Sequence, residues 1–325
     1  DKTQWRRFAG LAIIAALVLL IMLQTRAVFA GIMGFAATGI VLGLWFRKQL
    51  GVSKELSRIV VITMGVLLLG FISLFLLPSG THPLVARVQS MVSAEASGGR
   101  TLLWKMTGRM IADQPLTGVG AGNWTLEIQP YYEPYGYPYK EVNWLRPHND
   151  FLWVFAEKGI FGFMLFMAFF ILLYVYGIRY ARGPDASGEG VLFAILMMSG
   201  ITAYLANSMF DFPLERISHQ IMLFLYAASI VALYYKDNPD DKRLKSIGAK
   251  TCLYIALLLI GAGSWYAYTA TRQEGLIREI RMASEAEQWN RVLDLSKKAK
   301  TPLKRLDPLA VPVEFFEGFA YSKLG

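Results

Sequence analysis

The feature that most constrains this chain is the recurrence of long apolar runs. Gly10–Leu23, Ala27–Trp45, Ile59–Leu77, Ile160–Tyr180, Val191–Asn207, Ile217–Tyr235 and Thr251–Tyr268 approach or reach the ~20 apolar residues needed to cross a hydrocarbon core about 30 Å thick. No water satisfies backbone N–H and C=O groups inside that core, so each run is expected to be a helix. The expected fold is all-α: a polytopic membrane helix bundle with a large extracytoplasmic loop containing short helices, plus a C-terminal helical hairpin. Composition agrees, with 54% hydrophobic residues, a mean hydropathy of +0.38 and 18% charged residues, below the ~25% of a soluble domain. The first run is short and follows an opening Asp rather than Met. That start reads as the later part of a longer membrane protein, or a trimmed one.

Charge placement gives an expected orientation. Lys and Arg crowd Trp5–Arg7, Arg47–Arg58, Arg179–Arg182 and Lys236–Lys250, on alternate sides of successive spans. Cationic loops stay in the cytoplasm. The Gln24–Arg26 turn, the large loop (about 78–158), the Ser208–Arg216 turn and the tail after Thr269 are then expected outside. The net charge of +9 is accounted for by topology, and nucleic acid is not an expected partner. The single Cys252 excludes an intrachain disulfide framework.

The large loop concentrates the polar chemistry. Arg100–Asp113 patterns as an amphipathic helix with Leu103, Met106, Met110 and Ile111 near one side, suited to the membrane interface. Gly118-Val-Gly-Ala-Gly-Asn123 superficially suggests a phosphate loop, but no strand precedes it and no Lys-Ser/Thr follows. Tight backbone turning is the expected use of those glycines. Tyr131, Tyr132, Tyr135, Tyr137, Tyr139 and Trp144 alternate with Pro, as an interfacial aromatic belt or as sugar-stacking rings. A single helix over Phe151–Tyr180 would be about 45 Å long. A break is therefore expected at Glu157-Lys-Gly159, with a short outer helix before it capped by Asn149 or Asp150. His148 then sits at that helix's positive end, where a neutral imidazole is favoured and suits a general base. A histidine that only extends the cap is the alternative.

Other chemistries find little support. His82, His148 and His219 are dispersed and lack a Cys pair, so no metal site is expected. Asp237-Asn-Pro-Asp-Asp241 lies among cytoplasmic Lys and Arg and reads as a solvated turn. No nucleophile elbow or Ser-His-Asp spacing is present. Beyond Thr269 the character changes: Leu276–Lys300 has helical periodicity, and Phe315–Gly325 resembles the first helix of a tetratricopeptide-type hairpin. Such a unit needs neighbours to bury its apolar face. The expected division is residues 1–269 as the transmembrane domain and 270–325 as an extracytoplasmic tetratricopeptide-like segment, incomplete and available to a protein partner.

Several motifs, in order, resemble the O-antigen ligase/polymerase superfamily. They are Thr25-Arg-Ala27, Gly99-Arg-Thr-Leu-Leu-Trp104, Asp113-Gln-Pro-Leu-Thr-Gly-Val-Gly-Ala-Gly-Asn-Trp124, Pro147-His-Asn-Asp-Phe-Leu152, Glu157-Lys-Gly-Ile-Phe-Gly162 and Asp211-Phe-Pro-Leu214. The family's first motif is usually Ser-Arg, where this chain has Thr25-Arg26. The resemblance implies a multi-pass enzyme of the bacterial inner membrane with its site facing the periplasm or cell exterior. Its donor would be an undecaprenyl-pyrophosphate-linked glycan, its acceptor a lipid, glycan or protein hydroxyl, and it would need no cofactor or metal. The ligase, polymerase and protein O-oligosaccharyltransferase activities all fall within this resemblance.

By the same resemblance, His148 is the general base of an inverting transfer. Arg26, Arg100 and Arg146 bind the donor's pyrophosphate, for which a planar guanidinium suits bidentate contact. Tyr131, Tyr135 and Trp144 are candidate glycan contacts. A membrane transporter and an envelope scaffold are the alternatives from other classes. Transport predicts ionisable residues within the spans and an internal repeat, and the spans hold few such residues.

Overall fold

A computed structural model describes residues 26–63, 65, 99–132, 144–237, 249–300 and 311–325. Every regular element among them is a helix. In chain order the main ones are α1 (Arg26–Trp45), α2 (Arg100–Asp113), α3 (Trp124–Glu127), α4 (Asp150–Ala181), α5 (Gly188–Ser208), α6 (Ile217–Asp237), α7 (Ala249–Glu285), α8 (Trp289–Ala299) and α9 (Val313–Leu324). They fall into two compact units, one holding α1–α6 and the other α7–α9.

In the first unit, four helices are long and apolar enough to cross a membrane: α1 over Ala27–Trp45, α4, α5, and α6 over Ile217–Lys236. They coincide with four of the expected runs. The Gly10–Leu23 run lies outside the described residues, as does most of Ile59–Leu77. Apolar side chains such as Leu165, Ile171 and Phe224 face outward, as lipid contact requires. Inward, Phe46, Phe170, Ile195, Met198, Ile201 and Ile230 build the core.

Lipid tails are as apolar as leucine, so close packing rather than the hydrophobic effect must join spans. Along the α1–α5 seam, small residues allow it. A Cβ on Gly31 would meet Ala203 O at 3.3 Å, and one on Gly34 would meet Ala206 Cβ at 3.2 Å. Thr38 and Thr202 hydroxyls bond across this seam at 2.8 Å. At one end of the bundle, Arg182 stacks over Trp45 at 5.0 Å, beside the Arg47-Lys48 pair in the chain. α4 and α6 begin at the other end, and α5 finishes there.

The break expected in α4 is present. Asn149 caps its start by accepting Leu152 N–H at 3.1 Å, and Gly159 departs from helical geometry with φ 62° and ψ −169°. We place the bilayer-crossing part of α4 from Ile160 onward. The glycine-rich loop explains the break. Val119 N–H donates to Ala156 O and Gly120 N–H to Glu157 O, each at 2.9 Å, while Ile160 N–H donates to Pro115 O at 2.8 Å. The carbonyls and amide freed at the end of the short outer helix are thus satisfied by another backbone. A Cβ on Gly118 would lie 2.5 Å from Glu157 C, so this contact requires glycine.

The helix expected over Arg100–Asp113 is α2. Its apolar face does not lie on lipid: Leu103, Met106, Thr107 and Met110 are buried within the protein, and Trp124 Nε1 donates to Thr107 Oγ1 at 3.3 Å. Expecting an interfacial helix left out what α4 and Trp124 would cover.

In the second unit, α7 runs unbroken through Thr269 to Glu285 and contains the expected Thr251–Tyr268 run. A turn with Glu287 at φ 56° reverses the chain into α8. Ile277, Ile280, Ala283, Val292, Leu295 and Val313 then form a small core shared by α7, α8 and α9. Gln273 Nε2 donates to Ala299 O at 3.0 Å across this hairpin.

Candidate active site

His148 stands at the N-terminus of α4, in a backbone conformation (φ 53°) that few non-glycine residues adopt. The turn is held from outside. Trp104 Nε1 donates to Pro147 O at 2.8 Å, and Asn149 Nδ2 donates to Met209 O at 3.2 Å. These bonds tie the Arg146–Asn149 segment to α2 on one side and to the α5–α6 turn on the other.

That turn meets His148 directly. The ring of Phe212 packs edge-on against the imidazole, with centroids 5.1 Å apart. Asp211 Oδ1 lies 3.9 Å from Nδ1, and its Oδ2 pairs with Arg216 Nη2 at 2.9 Å. Arg146 pairs with Glu215. Phe212 has both guanidinium groups over its ring, Arg146 at 4.6 Å and Arg216 at 4.8 Å. Arg100, the first residue of α2, has no ion-pair partner among the described residues and is close enough to act electrostatically on His148.

The result is a weakly exposed base under positive charge. The His148 side chain is 26% exposed. Burial pushes its pKa below the usual 6.5, and Arg100, Arg146 and Arg216 push the same way, against the pull of Asp211. A neutral imidazole next to cations can accept a proton from a neutral hydroxyl while the cations meet anionic oxygens.

The other expected residues are placed less centrally. Arg26 opens α1, and its side chain lies outside the described residues, as does Tyr135. Tyr131 donates its hydroxyl to Asp113 Oδ2 at 2.6 Å, and burial and that carboxylate push its pKa up to about 12. Asp113 ends α2, roughly 20 Å along the helix from Arg100, so Tyr131 has no contact with His148. Trp144 is half-buried and falls with the second unit.

The residues to which sequence reasoning had given no part in the site are Asp211, Phe212, Glu215 and Arg216, the first two noted only within a motif. Their signal was an acid–aromatic–proline–acid–base cluster, Asp211-Phe-Pro-Leu-Glu-Arg216, confined to a short turn between two spans.

Comparison with known proteins adds the decisive observation. Residues 11–167 match the model of the family described as O-antigen ligase. This region, just under half of the chain, is similar to the O-antigen ligase family. It carries α1, the α2 helix, the glycine-rich loop, Arg146, His148 and the helix break, and ends within α4. The match supports a membrane enzyme of the ligase/polymerase type. No match is found among curated proteins.

Proposed function

We propose that the protein transfers a glycan from undecaprenyl pyrophosphate to an acceptor hydroxyl, without a metal ion, and that His148 is its base. The observation that carries this reading is the depressed, partly buried imidazole set among Arg100, Arg146 and Arg216. His148 takes the proton as the acceptor oxygen attacks the anomeric carbon. The bond from that carbon to the pyrophosphate oxygen breaks, and the lipid pyrophosphate leaves with the electron pair. Direct displacement inverts the anomeric configuration. Arg100 is the foremost phosphate ligand, because Arg146 and Arg216 already answer Glu215 and Asp211. Arg26 is assigned to the same pyrophosphate on the family resemblance, and Tyr131, Tyr135 and Trp144 are retained as candidate glycan contacts.

The cation-rich end of the first unit is assigned to the cytoplasm and the His148 end to the periplasm, in the bacterial inner membrane. Residues 270–325 are assigned to a periplasmic, tetratricopeptide-like segment that continues the end of α7 and engages a protein partner. Polymerisation and protein O-glycosylation use the same chemistry with another acceptor. Unattached lipid-linked glycan in a deletion strain would mark a ligase, and accumulation of single repeat units a polymerase.

The test is glycan transfer in proteoliposomes holding the lipid-linked donor and an acceptor. His148→Ala should lose ~10²–10⁴-fold in turnover while still binding donor. Arg100→Ala should weaken donor binding as well. Near-normal turnover of His148→Ala would remove the base assignment, and absence of transfer by the parent protein would favour a transporter or scaffold.

A further inference from the structure

Asp150 is unused by this mechanism, yet it is buried completely. A first-turn Asp usually faces water, where its charge complements the helix dipole. Here the carboxyl turns inward, and Oδ2 accepts Leu214 N–H at 3.0 Å from a residue 64 positions away. The same residue is gripped through its carbonyl, where Gln220 Nε2 donates to Leu214 O at 2.8 Å. An unpaired buried carboxylate is costly, so this carboxyl is held in place by what it bonds.

Leu214 lies at the centre of the turn that arranges the site. Phe212 on one side touches His148, and Glu215 on the other pairs with Arg146. We propose that Asp150 is a positioning residue: by holding the Leu214 peptide, its carboxyl keeps the Asp211–Arg216 turn seated over His148 and Arg146. This rests on the reading of His148 as the base.

Asp150 acts by geometry rather than by charge. Burial pushes its pKa up to about 7, against the bond from Leu214 N–H and with Asp211 and Glu215 adding to the rise. A substantial fraction of molecules near neutrality therefore already has an uncharged acceptor there. Asn offers the same acceptor, whereas Ala removes it and leaves the partly buried Leu214 N–H without that partner. Asp150 is absent from the charges that shift His148, which are Arg100, Asp211, Arg146 and Arg216. Asp150→Asn and Asp150→Ala remove the same charge, so a change in the titration of His148 seen with Ala and not with Asn comes through movement of the turn.

The experiment is the pH profile of glycan transfer by the full chain in proteoliposomes, for the parent, Asp150→Asn, Asp150→Ala and His148→Ala. The parent's acid limb should lie below 6.5. Asp150→Ala should lose ~10–100-fold in rate, the scale of a small misplacement of reacting groups, and its limb should move up toward 6.5 as Phe212 uncovers the imidazole. Asp150→Asn should stay within about three-fold of the parent with its limb unmoved. Loss of transfer in folded Asp150→Asn would overturn the proposal, and so would Asp150→Ala with parental rate and limb. If Asp150→Ala cannot be recovered folded, the Asn variant alone decides. Failure of the base assignment shows separately, as normal turnover in His148→Ala.

Discussion

Replacing Gly159 by Ala should unlock the joint on which the site is built. Gly159 sits at φ 62° and ψ −169°, a region that side-chain-bearing residues enter at a cost of ~1–3 kcal/mol. An added Cβ would lie 2.1 Å from Leu116 O, 2.4 Å from Leu116 C and 2.7 Å from Thr117 N. These are backbone atoms, so no rotamer relieves the clash and the loop must part from the helix break. That parting breaks the bonds Val119–Ala156, Gly120–Glu157 and Ile160–Pro115, each worth ~0.5–1.5 kcal/mol net. The expected loss is about 3–7 kcal/mol. Thermal unfolding of the purified protein in mild detergent measures it, with Gly108→Ala as the control. Gly108 is inside α2 with nothing within 4 Å of its would-be Cβ, so that change should be neutral or stabilise by up to ~1 kcal/mol. If Gly159→Ala melts where the parent and the control do, the glycine interlock is not what holds the break.

Other outcomes follow from the same geometry. Arg100 is the largest charge lowering the His148 pKa, so in Arg100→Gln the base protonates at higher pH. The acid limb of kcat/KM should then rise toward 6.5, and a limb that stays or falls would contradict the electrostatic placement. Arg100→Ala should weaken donor binding more than Arg146→Ala, whose guanidinium is engaged by Glu215, as a filter-binding assay with lipid-linked donor would show; the reverse order would move the phosphate site toward Arg146. Arg100→Lys should recover only part of the loss, since a point charge lacks the guanidinium fork. With Cys252 replaced, a cysteine at Asn123 should label from outside the cell and one at Asp185 should not; the opposite pattern reverses the orientation. Transfer should persist in excess chelator, and a Mg²⁺-reversible loss would show that a cation rather than arginine holds the phosphates.

The sequence by itself determined the helical class, four of the spans seen in the first unit, the boundaries of α2, and the break and cap of α4. These are local or one-dimensional properties. Span length follows from bilayer thickness, a cap from one side chain and its neighbouring amides, and a break from a helix too long for its membrane. The place of His148 before a capped helix was legible for the same reason, and made it a candidate. Three outcomes depended on tertiary contacts. The glycines of residues 118–122 proved to be half of a backbone joint whose other half begins at Ala156. The apolar face of α2 turned to Trp124 and α4 rather than to lipid. The Asp211–Arg216 turn, read from sequence only as a family motif, came to supply Phe212, two acids and a third arginine around His148. Periodicity shows which face of an element is apolar, but not what will cover it. Likewise, a buried carboxyl such as Asp150 is indistinguishable in sequence from the surface Asp that opens many helices. Only the approach of Leu214, 64 residues away, turned it inward.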